Sequence, residues 1–359
     1  MSRSQKITMK KVGIPLLIAV CGIAGILPVW PLINRVNSDE YWSEIHPELI
    51  RMDSSVLDNM IEDVESNNYR VYSIVIIRNG FLVKEWYQIP YDKNNIFQVY
   101  SVSKSVTSAL IGIALEKGYI NSLDEFVLDY FPDYDIANPS PLKDAMTIWH
   151  LLTMTTGLHW PEYYPYTDYR NPYNDWKASS DHVGFVLNRT MVAAPGTTFN
   201  YNTGASHLLS AIIQRATNMS TLNFAIKYLF GPLSIEDSRW YEDPQGVAGG
   251  GDNLFLKPRD MAKIGHLFLN EGNWEGNQII SKNWVRTSTS VMVNWGGPLD
   301  YGFQWWIAPE DDLYRALGYG GQQINVFHAL DLIVVFTGMN LNFDYASYLI
   351  YNYILPSVL

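Results

Sequence analysis

Strand-like segments lie at both ends of the chain, and helix-like segments lie between them. Residues 69–88 form two β-rich runs around Asn79-Gly80, a dipeptide typical of tight hairpins. Three further β-rich runs occupy 301–340, before an apolar helix near 345–356. This order predicts an α+β fold: one antiparallel sheet built from N- and C-terminal strands, flanked by helices, with an inserted, mostly helical region at about 120–260. A cleft between sheet and helical region is the expected site.

The N-terminal segment has the composition of a membrane anchor. Residues 1–11 contain four basic residues and no acid, and residues 12–34 carry no charge. An apolar run of about 20 residues can cross a bilayer, and its positive flank stays in the cytoplasm. We therefore predict a basic cytoplasmic tail (1–11), a transmembrane anchor (12–34), a linker (35–52) and a globular domain (53–359). A cleaved signal peptide is the alternative, although no clear small-x-small cleavage site follows.

Cysteine usage and charge narrow the possible partners of this domain. Cys21 is the only cysteine, so a disulfide framework and a cysteine-based metal site are excluded. Beyond residue 38 the chain has 20 basic against 36 acidic residues, a formal charge of −16. Such an acidic domain is unsuited to binding nucleic acid. We predict a single-pass protein of a bacterial cell membrane, with its domain on the periplasmic or extracellular side.

A serine and a lysine open the long helix predicted from residue 101 onward. Ser101 and Lys104 are three residues apart, so both lie on one helix face. A helix N-terminus favours the negative charge of an attacking alkoxide, and a lysine buried beside it can accept a proton. The alternative is that Ser101 caps the helix while Lys104 faces solvent.

A second candidate stretch is PGTTFNYNTG, at residues 195–204. It places Tyr201 and Thr203 at the start of another helix, where a phenol and a hydroxyl could relay a proton beside a serine. The alternative is a buried tyrosine next to a capped helix.

A third stretch, ALGYGGQQINVF at residues 316–327, is rich in glycine at the start of a strand. There the missing side chains would let a substrate carbonyl approach backbone N–H groups. The alternative is a turn with a β-bulge. The glycines concerned are Gly318, Gly320 and Gly321.

Other chemistries have weaker support in the sequence. The chain has no G-x-S-x-G motif, so an α/β-hydrolase nucleophile is not expected. Its seven histidines include no H-E-x-x-H motif and no close pair, so no metal site is predicted. The aromatic stretch at 159–176 either lines a pocket for an apolar group or forms a flap whose rings bury one another.

Taken in order, the three stretches resemble the serine β-lactamase-like family of class C β-lactamases, penicillin-binding DD-peptidases, related esterases and amide hydrolases. The resemblance extends over residues 53–359 and includes the connecting blocks MTIWHLLTMTTGLHW and LKPRDMAKIGHLFLNEGNW. It implies a β-lactamase/transpeptidase-like fold and an acyl-enzyme cycle that uses no cofactor and no metal. The partner implied is a small-molecule ester or amide, or a peptide.

The resemblance also implies a role for each matched residue. Ser101 would attack a carbonyl, Lys104 would help remove the serine proton, and Tyr201 would act as partner base and protonate the leaving group. Which of the lysine and the tyrosine takes the first proton is left open. The oxyanion would be bound by the N–H groups of Ser101 and Gly321. The other residues expected at the substrate are Thr203, Tyr319 and Gly320.

Two departures from the family pattern bear on the substrate. Thr203 stands where the Tyr-x-Asn motif often has asparagine, and Gly318 stands where the Lys-Thr-Gly motif has lysine or histidine. A cation there would bind the carboxylate shared by β-lactams and D-alanyl peptides, so its loss argues against both substrates. We expect ester or small-amide hydrolysis first and β-lactam or cell-wall peptide hydrolysis second. An inactive binding or sensor protein on the same scaffold is the third hypothesis.

Overall fold

The computed structural model describes residues 41–341 and 344–359. The predicted basic tail and transmembrane anchor lie outside these residues. Among the helices of the described residues, none is both long enough and apolar enough to cross a bilayer. The described residues from Trp42 onward form one compact unit.

A seven-stranded antiparallel sheet is the centre of this unit across the described residues. The strands of the described residues are β1 (Val71–Arg78), β2 (Phe81–Tyr87), β3 (Phe97–Gln98), β4 (Arg239–Trp240), β5 (Leu254–Leu256), β6 (Asn273–Trp274), β7 (Asn277–Gln278), β8 (Asp300–Tyr301), β9 (Trp306–Ala308), β10 (Leu313–Gly318), β11 (Gln322–Phe327) and β12 (Leu332–Gly338). The order in the large sheet is β2-β1-β12-β11-β10-β9-β8, and smaller sheets are formed by β3-β5-β4 and by β6-β7. The large sheet joins N- and C-terminal strands, so the predicted sheet is confirmed.

Helices cover both faces of the sheet and make up much of the chain between its N-terminal and C-terminal strands. The α-helices of the described residues are α1 (Ser54–Asn67), α2 (Val102–Glu116), α3 (Pro141–Asp144), α4 (Ile148–Leu152), α5 (Tyr173–Ala178), α6 (His182–Leu187), α7 (Thr203–Thr217), α8 (Thr221–Ala225), α9 (Pro258–Leu269), α10 (Lys282–Ser288) and α11 (Tyr345–Leu349). Short π-helical turns continue two of them, at Ile226–Phe230 and Ile350–Ile354.

The two faces of the sheet are buried by different helices. On one face, side chains of α1 and α11 pack against alternate residues of β1 and β12, such as Ile76 and Val334. On the other face, α9 packs closely enough that a Cβ at Gly265 would lie 2.9 Å from Ile333. Every residue of β12 is therefore buried, as expected for a strand covered on both sides.

The N-terminal hairpin forms as predicted. Asn79 and Gly80 have φ values of 49° and 77°, and both positive values suit the tight turn between β1 and β2. The chain before α1 departs from the prediction, because residues 42–52 of the expected linker belong to the compact unit and part of this segment pairs with the sheet. Trp42 is 2% exposed, and Leu82 in the edge strand β2 exchanges backbone hydrogen bonds with residues 43 and 45.

The C-terminal strands differ from the prediction in two places. The run 301–308 is divided into β8 and β9 by a bend, where Gln304 has a φ of 64°. Strand β10 was not predicted, because LYRALG is neither alternating nor rich in β-branched residues. Its Arg315 is buried, and its guanidinium donates to Asn325 Oδ1 and Gln323 Oε1 of β11, each at 2.8 Å.

Candidate active site

Ser101 lies at the junction between β3 and α2. The residue before it, Tyr100, has a φ of 46°, a left-handed value that few non-glycine residues adopt. The first N–H groups of α2 bond back to the carbonyls of residues 99–101, while the N–H of Ser101 donates to no described residue. The serine therefore stands at the helix N-terminus with its own N–H free, as an oxyanion donor requires.

Lys104 is buried one turn further along α2. It is 2% exposed, so the alternative of a solvent-facing lysine is wrong. Its Nζ donates to Ser101 Oγ at 2.9 Å, to Thr203 Oγ1 at 3.0 Å and to the carbonyl of Gly251 at 2.8 Å. All three donors of the ammonium group thus have an acceptor, and one acceptor is the candidate nucleophile.

Tyr201 lies next to this lysine, just before α7. Lys104 Nζ is 4.8 Å from the centroid of the Tyr201 ring. The ring of Trp306 stacks on Tyr201 at 5.7 Å with an interplanar angle of 22°. Among the described residues, Tyr201 Oη has no hydrogen-bond partner. The structure thus brings together the three residues predicted to be catalytic.

A buried carboxylate, Glu162, completes the polar contacts around Thr203 and was not predicted. It is 7% exposed and belongs to the aromatic stretch 159–176. Its donors are Thr203 Oγ1 at 2.6 Å, Thr203 N at 2.7 Å, Trp160 Nε1 at 2.6 Å and Tyr166 Oη at 2.9 Å. An acid within a tyrosine-rich loop is ordinary on a surface, so only its tertiary contacts distinguish this residue.

A cleft of about 190 Å³ opens at Ser101. Its walls are mainly tyrosine rings: Tyr319 lies 5.6 Å from Tyr100 and 5.5 Å from Tyr166, centroid to centroid. The aromatic stretch contains both cleft-lining and buried rings, because Tyr166 lines the cleft while Trp160 is fully buried. The lining residues are Tyr100, Ser101, Tyr166, Tyr173, Thr203, Gly251, Asp252 and Tyr319.

The hydroxyls of two cleft tyrosines are bound by carboxylates. Tyr166 Oη donates to Glu162, and Tyr173 Oη donates to Asp252 Oδ2 at 2.5 Å. Burial raises the pKa of both phenols, and the neighbouring carboxylates raise it further. Lys177 Nζ lies 3.3 Å from the same oxygen of Asp252. Both side chains are therefore held as neutral phenols whose hydroxyls donate to carboxylates.

The glycine-rich turn differs from its predicted role. The N–H of Gly321 donates to the carbonyl of Gly318 at 3.2 Å, and Gly321 lies against Tyr345. Gly320 packs against Met339. Neither Gly320 nor Gly321 lines the cleft, and the N–H of the predicted oxyanion donor Gly321 is already bound by Gly318. Tyr319 is the residue of this turn that reaches the cleft, and its N–H donates to no described residue.

Two histidines that are far apart in sequence lie beside the same acid, Asp243. His207 Nε2 lies 2.9 Å from Asp243 Oδ2, and His182 Nδ1 lies 4.0 Å from the same oxygen. The three potential ligand atoms are all within 4.8 Å of one another. Burial lowers the pKa of His182, and His207 is an additional cause. The sequence showed no histidine pair here, because the pair forms only when α6 packs on α7; the absence of a metal stays a prediction.

A helix that opens on a serine and a lysine, set beside a central antiparallel sheet, is the arrangement of the β-lactamase and transpeptidase type. The sequence pattern that defines the Beta-lactamase family matches residues 57–344. The chain belongs to this family.

Known proteins similar to this chain include several kinds of hydrolase. The 6-aminohexanoate-dimer hydrolase of Paenarthrobacter ureafaciens is 21% identical over 288 residues, which cover 73% of this chain and 71% of that protein. A putative 6-aminohexanoate-dimer hydrolase from Bacillus anthracis has a TM-score of 0.72 at 21% identity, covering 82% of this chain and 80% of that one. A family VIII carboxylesterase has a TM-score of 0.67 at 15% identity, covering 84% and 96%.

Proposed function

We propose that this protein is a serine hydrolase that acts through an acyl-enzyme on a neutral carboxylic ester or small amide. The observation that carries the proposal is the buried contact between Lys104 Nζ and Ser101 Oγ at 2.9 Å, at the base of a tyrosine-lined cleft. A solvent-excluded lysine paired with a serine is a means of activating a nucleophile. An inactive binding protein would have no need of this pair.

The proposed reaction has two halves. Ser101 Oγ attacks the substrate carbonyl and its proton passes to Lys104 or Tyr201, while the N–H groups of Ser101 and Tyr319 bind the oxyanion. Tyr201 then protonates the leaving alcohol or amine, and an acyl-serine remains. In the second half, water adds to the acyl carbonyl by the same route and releases the acid. Tyr319 takes the role first expected of Gly321, because its N–H is free and it lines the cleft.

The lining of the cleft supports a neutral substrate. None of the described residues that line it is a lysine or an arginine. At Gly318, a Cβ would lie 2.4 Å from the carbonyl oxygen of Val99, so the family's lysine or histidine cannot be accommodated. A carboxylate-bearing β-lactam or D-alanyl peptide would therefore enter without a matching charge. The relative named as a family VIII carboxylesterase supports an ester substrate.

The uncharged run at 12–34 supports a membrane anchor that holds the domain outside the cytoplasm of a bacterium. The full chain in detergent is thus the form to assay.

The test compares wild type with Ser101→Ala on a 4-nitrophenyl ester, a 4-nitroanilide, a chromogenic cephalosporin and a D-alanyl dipeptide. We expect ester or anilide turnover that Ser101→Ala lowers by at least about 10³-fold. Ser103→Ala is the matched control, since it removes a neighbouring hydroxyl that bonds the carbonyl of Tyr100. Preferred turnover of the cephalosporin or the dipeptide would contradict the substrate assignment. Inertness of the wild type toward all four would favour the binding-protein hypothesis.

A further inference from the structure

Thr203 Oγ1 lies between the side chains of Glu162 and Lys104. It is 2.6 Å from Glu162 Oε1 and 3.0 Å from Lys104 Nζ. A threonine hydroxyl has a single proton to donate and two lone pairs that accept. Because a carboxylate oxygen accepts, the proton of Thr203 points to Glu162, and the lone pairs of the hydroxyl face Lys104.

The other partners of Glu162 hold it in this role. Its Oε2 receives the indole N–H of Trp160 and the backbone N–H of Thr203, and both of these groups can only donate. Its Oε1 receives the hydroxyls of Thr203 and Tyr166. Each oxygen of this buried carboxylate thus faces two donors, so both oxygens of Glu162 act as hydrogen-bond acceptors.

From these contacts we infer that Glu162 is a positioning residue, which acts through Thr203 to aim the proton-accepting position of Lys104 at Ser101. The inference rests on the proposed function. Nζ of Lys104 has three positions besides its bond to carbon. Two of them face acceptors, Thr203 Oγ1 and the carbonyl of Gly251, and the third faces Ser101 Oγ. When the amine is neutral, the two acceptors hold its two N–H bonds and the lone pair points to the serine.

Replacing Glu162 by glutamine should reverse the direction in which the Thr203 hydroxyl donates, without changing the shape of the side chain at 162. The amide NH₂ cannot face the donor-only N–H groups of Trp160 and Thr203, so the amide oxygen takes that side. The NH₂ then faces the hydroxyls and donates to Thr203 Oγ1. The proton of Thr203 turns to Lys104 and occupies the lone pair that the serine proton needs.

The experiment measures how fast a fluorophosphonate labels Ser101 in the detergent-solubilised full chain, by intact mass. In this reaction the Oγ–P bond forms, the P–F bond breaks, fluoride leaves, and the serine proton goes to the base. We expect Glu162→Gln to slow labelling by about 10²-fold, the lower range for loss of general-base catalysis.

A double-mutant cycle separates positioning from a structural role. Thr203→Val removes the hydroxyl that could turn, so Glu162→Gln should slow this variant by less than about 3-fold. Equal slowing in both backgrounds, with a lower melting temperature, would overturn the inference, because it would indicate damage to the loop at 159–176.

Two further outcomes are distinguishable. If wild type is labelled at Ser101 and Glu162→Gln is labelled at the same rate, the inference is wrong and the proposed function stands. If wild type itself is not labelled, the proposed function fails and the inference fails with it. Should Glu162→Gln not fold, Thr203→Ser and Thr203→Val replace it. The serine variant keeps the acceptor and must be slowed less than the valine variant, and the reverse order overturns the inference.

Discussion

At Gly318 the backbone excludes a side chain that related motifs carry. The carbonyl of Val99, two residues before the candidate nucleophile, occupies the space of a Cβ. The family's lysine or histidine is therefore absent at position 318 because β10 packs too closely against the segment that holds Ser101. Thr203 is a second local departure, and its hydroxyl connects Lys104 to Glu162. At this site the charge of Lys104 is therefore balanced by that of Glu162, and none of the described lining residues is a lysine or an arginine.

Tyr201→Phe tests the proton-transfer role of the phenol. The substitution keeps the ring that contacts Lys104 and stacks on Trp306, and it removes an Oη that no described residue binds. We therefore expect unchanged thermal stability and a fall in kcat/KM of about 10²–10⁴-fold on a 4-nitrophenyl ester. Steady-state kinetics and thermal unfolding check this result. Turnover equal to that of wild type would remove Tyr201 from the mechanism.

Helix α4 shows how one element carries a titratable cap. Its His150 Nδ1 accepts the backbone N–H of Thr147 at 3.0 Å, the place that a glutamate or glutamine takes in a capping box. Protonation of Nδ1 would break this bond. Burial lowers the pKa of His150 below its ordinary value of 6.5, and the charge of Asp124 only partly opposes the shift.

The stability of the fold should therefore fall as the medium is acidified. Because the folded-state pKa of His150 lies below the unfolded value of about 6.5, the unfolded chain binds more protons between the two values. The contribution of neutral His150 to the free energy of unfolding is complete above pH 6.5, and it is lost as the pH falls toward the folded-state pKa. We expect a smaller drop in melting temperature between pH 7 and pH 5 for His150→Gln than for wild type. His182, whose pKa is also lowered by burial, should maintain part of the slope in the variant. Parallel melting curves would contradict the role of His150.

The net charge of the whole molecule acts on any charged substrate. The chain has a formal charge of −11 at pH 7, and its cleft offers no lysine or arginine among the described lining residues. The negative net charge therefore repels an anionic substrate as it approaches, and a bound anion finds no opposite charge in the cleft lining. Salt screens the long-range repulsion but does not supply the missing partner.

A pair of matched esters measures this discrimination. We expect kcat/KM for mono-4-nitrophenyl glutarate to be about 10-fold or more below that for 4-nitrophenyl pentanoate. Raising the salt concentration should increase the first value and leave the second unchanged. Preference for the anionic ester at low salt would indicate an anion site and favour β-lactam or peptide substrates.

Much of the fold was predictable from local patterns. The Asn79-Gly80 turn, the helical spacing after Ser101 and the apolar C-terminal segment each depend on neighbours in sequence, and each appears where expected. Strand β10 was missed because its buried Arg315 is satisfied by the next strand, a contact without a local signal. The pairing of residues 43 and 45 with the sheet was missed because their backbone partner, Leu82, is distant in sequence and leaves no local signal.

The order of strand-like and helix-like segments in the sequence predicted the class of fold, and the resemblance of three ordered stretches indicated the family and the candidate set Ser101, Lys104 and Tyr201. The surroundings of these three residues depend on how the chain folds. The burial of Lys104, the link through Thr203 to Glu162 and the free N–H of Tyr319 come from segments that approach one another only after folding. The direction of a hydrogen bond and access to the cleft depend on distances between such segments, and no periodic pattern in the sequence encodes these distances.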